Sequence, residues 1–381
     1  MRQERQREIL DRIASSGDQR TGLFGDHSQV RAASAYTDPV RFAAERDLFR
    51  TGPALIGLSA ECASPGAWLT GNFGGVPIAV IRQPDGSLAA MVNACRHRGA
   101  TLLEGRGEQL RRVNCPWHAW SYRTDGSLHS RPFSDGAFDD VTIECDLHRV
   151  AVAEDHGLIF VRPTSAEPID VDAFLHGAQH DFDDFHLDNC VHIESRTTLW
   201  KANWKLLLDT FTESYHIRTL HRESIAPYFF SGCTVFEPLG PHLLNIGLRK
   251  AVFDELAKPA AEQRLLPFGT FQYFLLPNAM LCYQTDHFEL WRFEPLDVRT
   301  TMVTTSVFAD AGPVSEKSDR YLRKNLDVLL QVTGTEDFPL IEQIQATLES
   351  GALPEVIYGR IEPALSHFHD AIDAALSTGS F

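Results

Sequence analysis

Two cysteine–histidine pairs stand out along the chain: Cys95-x-His97 and, 17 residues later, Cys115-x2-His118. Two thiolates and two imidazoles can hold a tetrahedral zinc or a [2Fe–2S] cluster. Zinc fingers usually pair cysteine with cysteine and histidine with histidine along the chain. Here each short loop carries one of each, which suits a cluster whose irons take two cysteines and two histidines respectively. Imidazole ligands leave such a cluster less negative than four thiolates would, and its potential rises. A second set lies in NWKLLLDTFTESYHIRTLH, Asn203–His221. Asp209, Glu213 and His216 fall at i, i+4 and i+7, one stripe of a helix. His221 joins His216 on one metal only if that helix ends or kinks near Thr219. Two histidines and one carboxylate make the facial triad of non-haem Fe(II) oxygenases, with positions left open for oxygen. Asp337, in Thr335-Glu336-Asp337-Phe338-Pro339, is the candidate carboxylate. It stands at a helix entrance, where a carboxylate also serves simply as a cap.

Different elements must position the two sets. Residues 1–50 contain helical stretches at Arg5–Ile13 and Asp38–Phe49. From Gly52 to Pro163 short β-prone runs alternate with turns: Val76–Ile81, Pro84-Asp85-Gly86, Ser87–Val92, and again around Thr124-Asp125-Gly126 and Glu154–Gly157. Asp-Gly turns between such runs mark hairpins, and the stretch is the size of an independent all-β domain of about 110 residues. Beyond Pro163, Val171–Leu187 and Trp204–Thr219 have helical spacing. Cys233–Ala251, Gly269–Tyr283 and His287–Ala309 read as antiparallel strands, and Ser315–Val332, Phe338–Leu348 and Ile361–Leu376 as helices. The expected fold class is α+β, with an all-β domain inserted. Its expected division is N-terminal helices over 1–50, packing on the catalytic domain, a cluster domain over 51–164 and the catalytic domain over 165–381.

The 381 residues exceed one ordinary core. With 43% apolar and 23% charged residues the chain is globular. A formal charge of −16 argues against nucleic acid and anionic lipid as partners. Neither a leader nor an apolar run of membrane-spanning length is evident, so a cytoplasmic location is expected. The seven cysteines are scattered, as free thiols or metal ligands in a reducing compartment would be.

The wording CRHRGA at Cys95–Ala100 and CPWHAWSY at Cys115–Tyr122 resembles the Rieske [2Fe–2S] domain. With the second set, the chain from about Tyr36 to Leu376 resembles the terminal oxygenase α subunit of Rieske non-haem iron ring-hydroxylating oxygenases. The resemblance implies a helix-grip catalytic domain, a [2Fe–2S] cluster on Cys95, His97, Cys115 and His118, and a mononuclear Fe(II) on His216, His221 and Asp337. It also implies a homotrimer of the α-only type, in which His118 of one subunit passes electrons through Glu213 to His216 of the next, with Asp209 as a further carboxylate. The electrons would come from NAD(P)H through a separate reductase or ferredoxin, since no G-x-G-x-x-G fingerprint is present. The activity implied is O2-dependent hydroxylation or dealkylation of a small organic substrate, first of all an aromatic one. Glu213 stands where many dihydroxylating members have aspartate and looks like the carnitine and quaternary-amine branch, which is the alternative. A non-catalytic Rieske electron carrier is the non-enzyme alternative.

Weaker signals have plainer readings. His176, His180, His186 and His192, among Asp181, Asp183, Asp184 and Asp188, form a solvated acidic helix face. Tyr215 reads as core. Trp117, Trp120 and Tyr122 shield the cluster. Cys62, Cys145, Cys190, Cys233 and Cys282 read as small buried side chains. The 24 phenylalanines suggest a greasy core and a greasy pocket.

Overall fold

Hairpin chemistry builds the smaller of two compact units, Phe49–Phe174 with Leu187–Asn189. The structure, a computed structural model, describes residues 1–17, 20–232, 234–310 and 314–381; Cys233 lies outside the described residues. In this unit Gly86 and Gly126 take left-handed φ values of 87° and 88°, which close the two Asp-Gly turns. An antiparallel sheet runs in the order Ala54–Leu58, Leu158–Arg162, Arg149–Asp155, Leu88–Val92, Val76–Arg82, Trp68–Phe73, Arg106–Gly107. A small sheet of Val113–Asn114, Ser121–Tyr122 and Leu128–Ser130 accompanies it. Ile56, Ile78, Val80, Ile159 and Val161 of the larger sheet are fully buried in one cluster, each worth about 1.5–3 kcal/mol of apolar burial.

The larger unit comprises Met1–Leu48, Leu175–His186 and Cys190–Phe381. Its antiparallel sheet runs Val191–Trp200, Thr300–Ala309, His287–Asp297, Ala279–Tyr283, Gly269–Leu275, His242–Leu248, Val235–Leu239. Each β-rich block expected from the sequence folds into one hairpin of this sheet. The edge strand Val191–Trp200 was not expected. Its residues mix charge, hydroxyl and apolar types, because only part of an edge strand meets the core. A pairing of Gln29–Ala32 with Glu355–Tyr358 was likewise not expected; the two segments lie between the helical stretches read from the sequence.

Helix Trp204–Thr212 is held at its start by three contacts. Asn203 Oδ1 accepts the Lys205 N–H at 3.1 Å, an N-cap of the expected kind. Its Nδ2 donates to the carbonyls of Tyr36 and Val298. Glu45 receives the buried Lys205 ammonium, the Trp204 indole N–H at 3.1 Å and Arg41. The N-terminal helix Pro39–Thr51 is thus tied through Glu45 to the helix that leads into the second residue set.

Candidate metal centres and substrate cavity

The two cysteine–histidine loops are built alike. In each, the residue four past the cysteine donates its N–H to the cysteine carbonyl, Gly99 at 2.8 Å and Ala119 at 3.1 Å. Both of those residues adopt positive φ, 77° and 58°. Cys95 and Cys115 are buried. His97 Nδ1 and His118 Nδ1 face each other at 3.1 Å. Burial raises the Cys115 thiol, but N–H groups of His118 and Trp117 outweigh it and hold the thiol below its ordinary value. Two thiols on one side and two ring nitrogens on the other fit a [2Fe–2S] cluster ligated pairwise. Trp120 stacks on His97 at 5.1 Å and Trp117 on His118 at 4.6 Å. The Tyr122 hydroxyl meets Cys95 Sγ at 3.3 Å and accepts the Arg96 N–H. The aromatic residues shield the site as expected.

The second set converges by a different route from the single helical stripe. Helix Trp204–Thr212 stops, and Glu213 is extended at φ −139°, ψ 167°. Its carboxylate then accepts the Tyr215 and His216 N–H groups, the unsatisfied donors of the following turn. A short helix, Ile217–Leu220, brings His221 back beside His216, with ring centroids 5.0 Å apart. A first break therefore comes at Glu213, and the short helix that follows ends at Leu220, near Thr219 as expected.

Asp337 stands at the entrance of helix Phe338–Glu349, as expected, but its side chain does not cap it. It ends a π-helical turn, Thr333–Asp337, between helices Glu316–Val332 and Phe338–Glu349, and makes no capping bond. One residue too many in such a turn re-aims the side chains that follow it. Asp337 Oδ1 lies 3.0 Å from His221 Nε2 and 3.6 Å from His216 Nε2. It is buried with no hydrogen bond of good geometry. Among the described residues these three alone form a group able to hold a metal in this way. Each outer ring nitrogen meets a carboxylate: His216 Nδ1 meets Glu213, and His221 Nδ1 meets Glu336 Oε2 at 2.7 Å. That leaves both Nε2 lone pairs for a metal. Burial lowers the His221 imidazole, but Asp337 and Glu336 outweigh it and hold it above its ordinary value.

Asp209 is not aimed at the histidines. Its Oδ1 meets His369 Nε2 at 2.9 Å and its Oδ2 accepts from the Tyr36 hydroxyl at 2.6 Å, within a buried group that includes Tyr358. It still shares a cavity with Glu213, His216 and Asp337, rimmed by Leu340, Ile344 and Ile357. Tyr215 is 65% exposed, against the reading as core. Cys145 is half-buried, whereas Cys62, Cys190 and Cys282 are buried as expected. Asp181 departs from the solvated acidic face: it is buried and bonded to Tyr273 and Arg5.

On the other side of the triad lies a cavity of about 220 Å3. Its floor is one face of the sheet. Gln272, Cys282 and Glu289 are in register across adjacent strands, and Met280, Gln284 and Trp291 fall on the same face by alternation. Of the 24 phenylalanines Phe211 and Phe229 line it, and with Ile217, Ile225, Met280, Leu329 and Val332 they make the lining mostly apolar, as expected, around a few polar side chains. Glu336, Arg249, Glu289 and Trp291 escaped the sequence reading. The available signal was Gln272, Cys282 and Glu289 interrupting otherwise apolar strands.

The family model "Ring hydroxylating alpha subunit (catalytic domain)" matches residues 187–378, and "Rieske [2Fe-2S] domain" matches 54–137. The carnitine monooxygenase oxygenase subunit of Escherichia coli (strain K12) is 30% identical over 372 residues, covering 89% of this chain and 92% of that protein. The glycine betaine monooxygenase oxygenase subunit of Chromohalobacter salexigens is 27% identical over 375 residues, 88% of this chain and 82% of that one. The crystal structure of a quaternary ammonium Rieske monooxygenase in complex with L-carnitine superposes with a TM-score of 0.75 at 20% identity, covering 96% of this chain and 98% of that one.

Proposed function

We propose, for a chain that belongs to the α subunits of the Rieske non-haem iron oxygenases, that its substrate is a quaternary ammonium compound, which it monooxygenates as a terminal oxygenase. The chain is an oxidoreductase with a [2Fe–2S] cluster and a mononuclear iron. We assign the cluster to Cys95, His97, Cys115 and His118, and the iron to His216, His221 and Asp337. The observation that carries the substrate reading is the buried Glu289 carboxylate in the otherwise mostly apolar wall of the cavity beside the triad. A carboxylate at 5% exposure is a poor wall for a hydrocarbon and a good one for a cation. The relatives that act on carnitine and glycine betaine support the same reading. The aromatic substrate expected first gives way to the alternative.

Iron bound by the triad supplies the activation of O2 that puts one oxygen atom into a substrate C–H bond and releases the other as water, consuming two electrons and two protons. Glu213 and Glu336 hold the two imidazoles in the tautomer and orientation that ligation needs. Phe211 and Trp291, with ring centroids 5.0 Å apart, form the apolar part of the wall and exclude water. Electrons come from a separate reductase or ferredoxin. We assign their route to a homotrimer in which the exposed His118 of one subunit docks at Glu213 of the next. Trp117, 57% exposed, and the exposed Leu340 and Ile357 near Glu213 are the apolar surfaces such docking would cover.

The test is oxygen consumption and product analysis with a surrogate reductase, across quaternary amines, aromatic acids and aromatic hydrocarbons. Coupled product from a quaternary amine, with aldehyde or hydroxylated amine in step with O2 used, is the expected result. Product from the aromatic compounds alone would overturn the reading.

A further inference from the structure

We propose that the cavity selects substrates carrying an anionic and a cationic group together, with Arg249 receiving the carboxylate end and Glu289, beside Trp291 and Phe211, the ammonium end. This rests on the quaternary-amine reading and narrows it to zwitterions.

Arg249 and Glu289 both line the cavity, yet no ion pair joins them among the described residues. Arg249 is placed by its backbone, whose N–H donates to the Phe268 carbonyl at 2.8 Å. Its guanidinium lies over the Phe229 ring at 5.2 Å, and its Nε is buried with no hydrogen-bond partner. It pairs with no carboxylate among the described residues. An arginine fork left open toward a cavity matches a carboxylate in two places at once.

Glu289 comes from the strand His287–Asp297 and is buried. Its partners are at long range: the His287 imidazole, which pairs with it at 3.4 Å when protonated, and the Trp291 indole N–H, which donates at 3.5 Å. His287 is also committed to Asp286 through Nδ1 at 2.7 Å. A buried carboxylate so weakly served is stabilised by an incoming cation. The faces of Trp291 and Phe211 add the cation–π attraction that quaternary ammonium groups receive from aromatic walls.

A neutral ligand would cover both charges and satisfy neither, so a site of this kind rejects it strongly. A cation lacking a carboxylate would answer Glu289 and leave the half-buried Arg249 unpaired. A zwitterion answers both.

The experiment measures equilibrium binding by calorimetry and KM by turnover on the holoenzyme. The probes are L-carnitine, γ-butyrobetaine and glycine betaine, set against carnitine methyl ester and choline. The acids should bind about tenfold to a hundredfold more tightly than the ester or choline. Arg249→Gln should remove that acid-over-ester preference, and Arg249→Lys should restore part of it. Glu289→Gln should weaken acid and ester together by about tenfold. Equal binding of acid and ester by the unaltered protein, a comparison that needs no variant, would overturn the proposal and leave the quaternary-amine reading standing. Binding and turnover of no quaternary amine at all would overturn both.

Discussion

Glu213 and Glu336 hold the two histidines from opposite sides of the triad, so each can be tested singly. Glu213→Gln keeps the shape but turns a full acceptor into an amide. Under the assignment above, it should retain both metals yet slow reoxidation of the reduced cluster by about 10–100-fold or more. Single-turnover reoxidation with substrate and O2 present measures this, and a rate like that of the unaltered protein would place the electron route elsewhere. Glu336→Gln should act differently, because among the described residues Glu336 serves His221 and the Ser224 hydroxyl alone. Iron affinity should fall about 10–100-fold while the cluster's visible bands persist. The check is iron content after dialysis against a ferrous chelator. Of this pair only Glu213 was legible in the sequence, from its place three residues before His216. Glu336 was hidden because its neighbour Asp337 explained the segment.

At the level of elements, two irregularities make the site. One is the extended residue at Glu213, which ends a helix whose spacing would otherwise continue. The other is the π-turn Thr333–Asp337. Deleting the exposed Thr335 should convert that turn to ordinary α-helix and swing Asp337 by about 100° about the axis. The expected result is a folded protein that keeps its cluster and drops from about three irons per chain to about two. Retention of the third iron would show that the turn does not aim Asp337. Neither irregularity was readable from spacing, since periodicity describes regular helix and both are departures from it. The hairpins, by contrast, were legible because Asp-Gly turns carry their own backbone geometry.

For the whole molecule, the exposed apolar residues around Glu213 are the feature that a lone subunit leaves unexplained. Leu340 is 41% exposed, Ile344 36% and Ile357 75%. Under the homotrimer proposed above, Leu340→Asp with Ile357→Asp should shift the protein from trimer toward monomer in sedimentation velocity. Cluster reoxidation should then become slow, while visible absorption and melting of each subunit stay within ordinary surface-mutation effects of about 0.5 kcal/mol. An intact trimer would show that these side chains are not buried by assembly.

Cysteine and histidine at fixed short spacings are enough to announce a two-loop cluster, because both ligands of each loop sit within three residues and the backbone has few ways to present them. The α+β class and the hairpin blocks follow equally from local turn chemistry and β-prone runs. What the cavity accepts could not be read in that way. Gln272, Cys282 and Glu289 come from three strands, with Arg249 just past the end of a fourth, and only pairing in register turns the three strand side chains to one face. Asp209 makes the same point in reverse. Its helical spacing aligned it with His216, but Tyr36 and His369, distant in sequence, take its carboxylate as their partner. Ligand type and short spacing are local properties of a chain. Which charges share a buried cavity is decided by long-range packing.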